Sequence, residues 1–317
     1  MLHLPKILFL IPLYLMSCTT SQEDVPMKEE EQVSIGFTAK VQGSRTEATI
    51  ADLEVHGFSV WGGYKDTNVF NGTKITKTDD GWGYDNPQFW TYNTYNFYAV
   101  YPDNTHNAYS AEEVTVSNTT KQLTIKDFNS ALGYDLMYAE SLNNDGSNPP
   151  DDVSFTFKHT MTQLAVSLKK DSINLNDEIK VTGLYVYGMY GKGDYELTAS
   201  TEAWTNLKEV SYYGKEITPV TLDVASDTLC VSGIMVIPQS FEGMDINLLI
   251  TYSYKSKDAN EASNQYLSVP IPTSVPWEIR KKITYQGKID VDDKIEFSTP
   301  IVENWGAEQV GGTIIIK

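Results

Sequence analysis

Two cysteines and four histidines are all that the 317 residues contain. Cys18 and Cys230 cannot supply the disulfide framework on which small secreted domains rely. Basic side chains are also scarce, with 24 Lys and Arg against 42 Asp and Glu and a formal charge of −18. Phosphate binding depends on Lys and Arg neutralising backbone charge, so nucleic acid is not an expected partner. The same balance disfavours docking on anionic membranes. The apolar run Ile7–Leu15 falls short of the about 20 residues that a bilayer-spanning helix needs. No stretch carries a sustained helical period with caps. The nucleophile-elbow, zinc-protease, P-loop and dinucleotide motifs are missing. His56, His106 and His159 are not spaced like a metal pair. No cofactor, metal or catalytic group is therefore expected, although a glycosidase carboxylate pair is defined by spatial separation and leaves no sequence mark.

What the chain does have is aromatic residues and alternation. It carries 20 Tyr, 11 Phe and 6 Trp, a composition that leans toward strands. Val33, Ile35, Phe37, Ala39 and Val41 alternate cleanly, and Phe97–Tyr101 is a short continuous apolar run. Val114/Val116, Leu123/Ile125, Val153/Phe155/Phe157 and Leu164/Val166/Leu168 predict further strands. The apolar phase changes across His159–Gln163, which predicts a bulge or turn there. Ile179–Tyr187, Leu229–Ile237, Ile246–Tyr252, Ile283/Tyr285, Ile295/Phe297 and Ile314/Ile316 complete an all-β pattern. The stretch from Asn143 to Asp152 is loop by composition and marks a domain boundary near 150. It partly echoes a calcium loop, but Ser141 stands at the first ligand position and an Asp replaces the closing Glu, so an exposed linker is the simpler reading. His159 reads as a structural histidine and Cys230 as a small buried hydrophobe. Trp82, Tyr84 and Trp90 either fill the first domain's core or form an exposed aromatic patch for a ligand.

The N-terminus reads as an export signal. Lys6 precedes the apolar run, which ends in Leu15-Met16-Ser17-Cys18. This resembles a bacterial lipobox, whose cysteine is acylated and anchors the mature protein by lipid rather than by a span. The acidic stretch around Glu23 and Glu29–Glu31 resembles the surface-export signal of Bacteroidetes lipoproteins, which implies the outer membrane, facing outward.

Several separated segments resemble the fimbrillin-like family, the type V pilins of Bacteroidetes. They are Phe97–Pro102, Asp135–Ala139, Phe157–His159 with Leu164–Val166, Met235–Gln239, and a C-terminal pattern of Trp277, Ile283–Ile289, Ile295–Phe297 and Val302–Trp305. The segment after Trp277, Glu278–Lys282, departs from the Gly and Lys often found there and leaves that hairpin's geometry open. The resemblance implies two tandem transthyretin-like β-sandwich domains. It also implies lipoprotein precursors cut by an Arg-specific protease, and filaments built by strand exchange. On that plan, 1–17 is the signal peptide, 18–45 the tether and removable first strand, 46–150 the first domain and 151–317 the second. Arg45, in Gly43-Ser44-Arg45-Thr46, is the expected cleavage point, before Thr46. Thr313, Ile314, Ile315 and Ile316, behind a Gly pair, are either a donated strand or the last strand of their own domain. Other pilin subunits, a lipid on the precursor and a surface receptor are the implied partners. The reading is a structural or accessory subunit of an adhesive fimbria. The alternative is a monomeric surface lipoprotein that binds glycans through the aromatic patch.

Overall fold

The computed structural model describes residues 32–42, 50–290 and 294–305, without the side chain of Lys215. In chain order the elements are β1 (Phe37–Val41), the helix α1 (Ile50–His56), β2 (Phe58–Tyr64), β3 (Thr67–Thr78), β4 (Gly81–Gly83), β5 (Thr94–Tyr101), β6 (Val114–Ser117), β7 (Gln122–Asn129), β8 (Met137–Asp145) and β9 (Val153–His159). There follow β10 (Thr162–Lys170), β11 (Glu178–Leu197), β12 (Glu202–Thr221), β13 (Thr228–Val236), β14 (Asn247–Lys255), β15 (Ser263–Pro270), β16 (Lys281–Asp290), β17 (Lys294–Phe297) and β18 (Ile301–Asn304). The fold is all-β, as the alternation predicts.

The strands gather around separate cores. β1-β4-β3-β2-β5-β8-β9 closes on itself as a barrel. Its interior is aromatic, with Phe37, Phe58, Phe70, Phe97, Phe155 and Phe157 buried together. The remaining strands form a sandwich. One sheet runs β13-β10-β16-β17 with β18 on β16, and the other runs β15-β14-β11-β7-β6 with β12 on β11. Leu164 and Val166 of β10 and Ile283 of β16 meet Val181, Leu184 and Ile250 of the facing sheet. Cys230 is in this core at 7% exposure, and burial pushes its thiol up to about 11. A third core joins the two bodies: Tyr98 and Val100 on the outer face of the barrel pack against Leu123, Ile125 and Tyr195. β5 is thus buried on both faces, which is why it reads as a continuous run rather than an alternation.

The sheets do not part near residue 150. β8 continues through Asp145, because Asn143, at φ 60°, gives its N–H to Asn96 Oδ1 at 2.8 Å and the strand re-registers on β5. The rest of the expected linker turns the chain from β8 to β9, two strands of the same barrel. β7, from the first half of the chain, pairs with β11 in the second. The chain enters the sandwich at β6 and β7, returns to the barrel at β8, and leaves it finally at Thr160–Met161, between β9 and β10, where the apolar phase changes. A buried polar pair marks this passage. His159 Nδ1 and an Asp135 oxygen share a hydrogen bond at 2.6 Å, and the His159 ring stacks on Trp305 at 4.0 Å. Burial pushes the Asp135 carboxyl up, with the imidazole pulling the other way. Nearby, Arg280 Nη2 donates to both Glu202 oxygens.

Candidate functional site: the seat of the first strand

β1 is short and laddered mainly on one side. It runs parallel to β9, with Phe37 opposite Val153 and Val41 opposite Phe157. Gln42 N–H reaches Phe157 O at 2.9 Å, and Val153 N–H reaches Gly36 O at 2.8 Å. On the other side only Phe37 opposes a β4 residue, Trp82. The chain just before β1 is held by the segment after β4. Ile35 N–H donates to Gln88 O at 2.8 Å and Trp90 N–H to Val33 O at 3.0 Å. β9 in turn meets β8 only at Lys158 and His159. Among the described residues, Val153–Phe157 therefore ladder to β1 alone.

The side chains follow from the period of two. Ile35 and Phe37 point into the barrel at 1% and 2% exposure, Ala39 and Val41 are half-buried on the same face, and Thr38 and Lys40 face out. The Phe37 ring stacks on Phe155 at 5.5 Å and 14°. It also meets Phe70 at 5.2 Å and Tyr84 at 5.7 Å. The seat of β1 is thus an apolar groove bordered by the β9 edge to which β1 ladders.

The aromatic residues expected as core or ligand patch belong to this seat. Tyr84 Oη donates to Ile35 O at 2.8 Å and accepts from Gln88 N–H at 3.1 Å. Burial raises the Tyr84 phenol and the Gln88 bond lowers it, with burial the stronger. Trp90 is sealed in at 1% exposure, edge-on to Tyr95 at 4.9 Å, and offers no face to a ligand. Trp82 is half-buried, 5.1 Å from Phe58, with the Lys77 ammonium 5.6 Å from its ring centre. A hollow of about 360 Å³, lined by Val69, Phe70, Lys74, Tyr84 and Asn86 among others, lies beside the groove. The strap formed by Tyr84 and Gln88–Trp90, which holds Val33 and Ile35 just before β1, is the feature of this seat that sequence reasoning missed. The density of rings there was visible, but not that backbone from the same segment clasps β1.

Cys18, Arg45, Thr46 and Thr313–Ile316 lie outside the described residues. Among the described residues no cluster of three His, Cys, Asp or Glu side chains could hold a metal ion, and no helix is long and apolar enough to cross a membrane.

The fold is similar to that of a fimbrial protein from Bacteroides vulgatus, at 20% identity and a TM-score of 0.56, covering 86% of this chain and 99% of that one. A proposed cell-adhesion protein from Bacteroides uniformis aligns over 88% of this chain and 99% of its own, at 15% identity and a TM-score of 0.49. No curated protein matches by sequence. The family model described as Fimbrillin-like matches residues 20–305, and the chain belongs to that family.

Proposed function

We propose that the chain is a structural or accessory subunit of an adhesive cell-surface fimbria, and that it polymerises by giving up β1 for a strand of a neighbouring subunit. The observation that carries this reading is the seat of β1. Its loss would leave the N–H and C=O groups of Val153, Phe155 and Phe157 that face β1 unpaired beside an apolar groove, a template for strand addition. Family membership and fimbrial relatives support the fimbrial role. On this reading the precursor is lipidated at Cys18 on the outer membrane, cleavage after Arg45 frees β1, and Thr313–Ile316 is the candidate strand on the donating side. The role requires no catalysis.

The test is treatment of the unlipidated full chain with an Arg-specific protease. The expected result is a new N-terminus at Thr46 and displacement of β1 by excess peptide covering residues 32–42. The Arg45→Ala variant keeps β1. A cleaved protein that never exchanges its strand contradicts the reading.

A further inference from the structure

We infer that the groove under β1 selects its incoming strand by an aromatic side chain at the Phe37 position. The partner in strand exchange is then a different protein chain and not a second copy of this one. This rests on the strand-exchange reading above and specifies what the groove accepts.

The space around Phe37 is built by the body of the barrel. Phe70 comes from β3, Phe97 from β5, Phe155 from β9, and Tyr84 from the strap after β4. Phe155 stacks on the ring at 14° and 5.5 Å, while Phe70 and Phe97 meet it edge-on at 75° and 89°. These walls also brace one another: Phe70 lies 5.2 Å from Tyr84 and 5.8 Å from Phe97, and Phe155 lies 6.0 Å from Phe58. Phe70, Phe97 and Phe155 are fully buried. A box of mutually packed rings cannot collapse to fit a smaller guest, so the guest must supply stacking and edge contacts. The inward positions that follow it are more permissive, since Ala39 and Val41 are only half-buried. Gly36 is not the discriminating feature. A Cβ there would meet the Asp152 carboxylate, which is the exposed end of a side chain that can rotate away.

The candidate donor within this chain does not match. Residues 310–317 read Val-Gly-Gly-Thr-Ile-Ile-Ile-Lys and contain no aromatic. In either direction and either phase, an isoleucine is the largest side chain they can place in the box. The strand that fits alternates apolar residues and carries Phe or a residue of similar shape at the second inward position. Such a subunit takes a strand from one kind of neighbour and offers its β-branched strand to another, as a junction between subunit types does.

The test uses the unlipidated full chain with a sequence-specific protease site placed within 43–49, so that cleavage does not depend on Arg45. Dye-labelled peptides compete for the groove of the cleaved protein: residues 32–42, the same peptide with Phe37→Ala or Phe37→Ile, and residues 310–317. Because the changes are in the peptides, none compromises folding of the protein. The 32–42 peptide is expected to be captured. The Ala peptide should bind about 100-fold more weakly or worse and the Ile peptide about tenfold more weakly. The 310–317 peptide should do no better than the Ile peptide, and cleaved protein alone should stay monomeric. A 310–317 peptide that matches 32–42, or a ladder of homopolymers from cleaved protein alone, overturns the inference while leaving strand exchange standing. Failure of every peptide to enter overturns strand exchange itself, and this inference with it.

Discussion

Two parallel ladders, one in each body, put a late or early strand beside a strand it does not follow in sequence. In the sandwich, β16 lies parallel to β10 from Lys282 opposite Gln163 to Ile289 opposite Lys170, and its other side is covered by β17 and β18. In the barrel, β1 lies parallel to β9 over five residues and touches β4 only at Phe37. β16 has ten residues, with β10 along one side and β18 and β17 sharing the other, and a core built of many aliphatic side chains. β1 depends on fewer backbone bonds and on one large ring in an aromatic box. The same pairing geometry thus makes a central strand covered on both sides in one place and a short closing strand laddered mainly on one side in the other. What differs is the number of partners and how the apolar contact is divided among side chains.

Substitutions sharpen that contrast. The largest effect is expected from Phe37→Ala, about 3–5 kcal/mol by denaturant unfolding of the uncleaved chain, because a ring is lost from walls that cannot close up. A loss under about 1 kcal/mol would show that β1 is not the keystone of the barrel. In the sandwich, the Trp277 indole N–H donates to Tyr285 Oη of β16 at 3.0 Å, with both side chains buried. Tyr285→Phe leaves that donor unpaired and should cost about 1–3 kcal/mol. Ile283→Val, on the same strand, should cost only about 1 kcal/mol, since one methylene is lost among many small contacts. An Ile283 effect rivalling that of Phe37 would remove the distinction between the two cores.

The smallest expected effect is electrostatic. Hydrogen bonding from the Lys288 ammonium of β16, and from the Ile173 backbone N–H, holds the Asp171 carboxyl at about 2. A carboxyl lowered in the folded state stabilises it above the ordinary value near 3.8 and loses that contribution as the pH falls toward 2. Thermal midpoints measured from pH 5 to pH 2 should fall more steeply for the parent than for Asp171→Asn. Equal slopes would mean that this pair does not help to tie β16 down.

The sequence showed the contrast only in part. Alternation located β1, β9, β10, β14 and β16 because each buries one face or carries β-branched residues, and those strands line the cores. The edge strand β12, with Val210 and Tyr212 exposed, packs only partly buried side chains such as Leu207, Ile217 and Val220 on the cores, at spacings that break a clean alternation. α1 buries only Leu53, too little to write a helical period. The domain boundary was placed by composition at Asn143–Asp152, but a side-chain amide at Asn96 keeps Asn143–Asp145 in the ladder. The phase change at His159–Gln163, expected as a bulge or turn, falls where the chain leaves β9 of the barrel for β10 of the sandwich. For the site, the alternating apolar strand was legible. That it ladders in parallel to β9 and is strapped by Tyr84 and Gln88–Trp90 depends on residues far apart in sequence, and only the folded chain joins them.

The most direct test of a separable β1 is amide hydrogen exchange across residues 151–159. It would be measured in the intact chain, after cleavage between β1 and α1 with removal of the strand, and after adding back the 32–42 peptide. The account predicts that the amides of Val153, Phe155 and Phe157, which face β1, are protected in the intact chain, exchange fast when β1 is gone, and are protected again with the peptide, while Lys158, paired to β8, changes little. Protection of Val153, Phe155 and Phe157 that survives removal of β1 would show that β9 does not depend on it, and the account of the groove would be wrong.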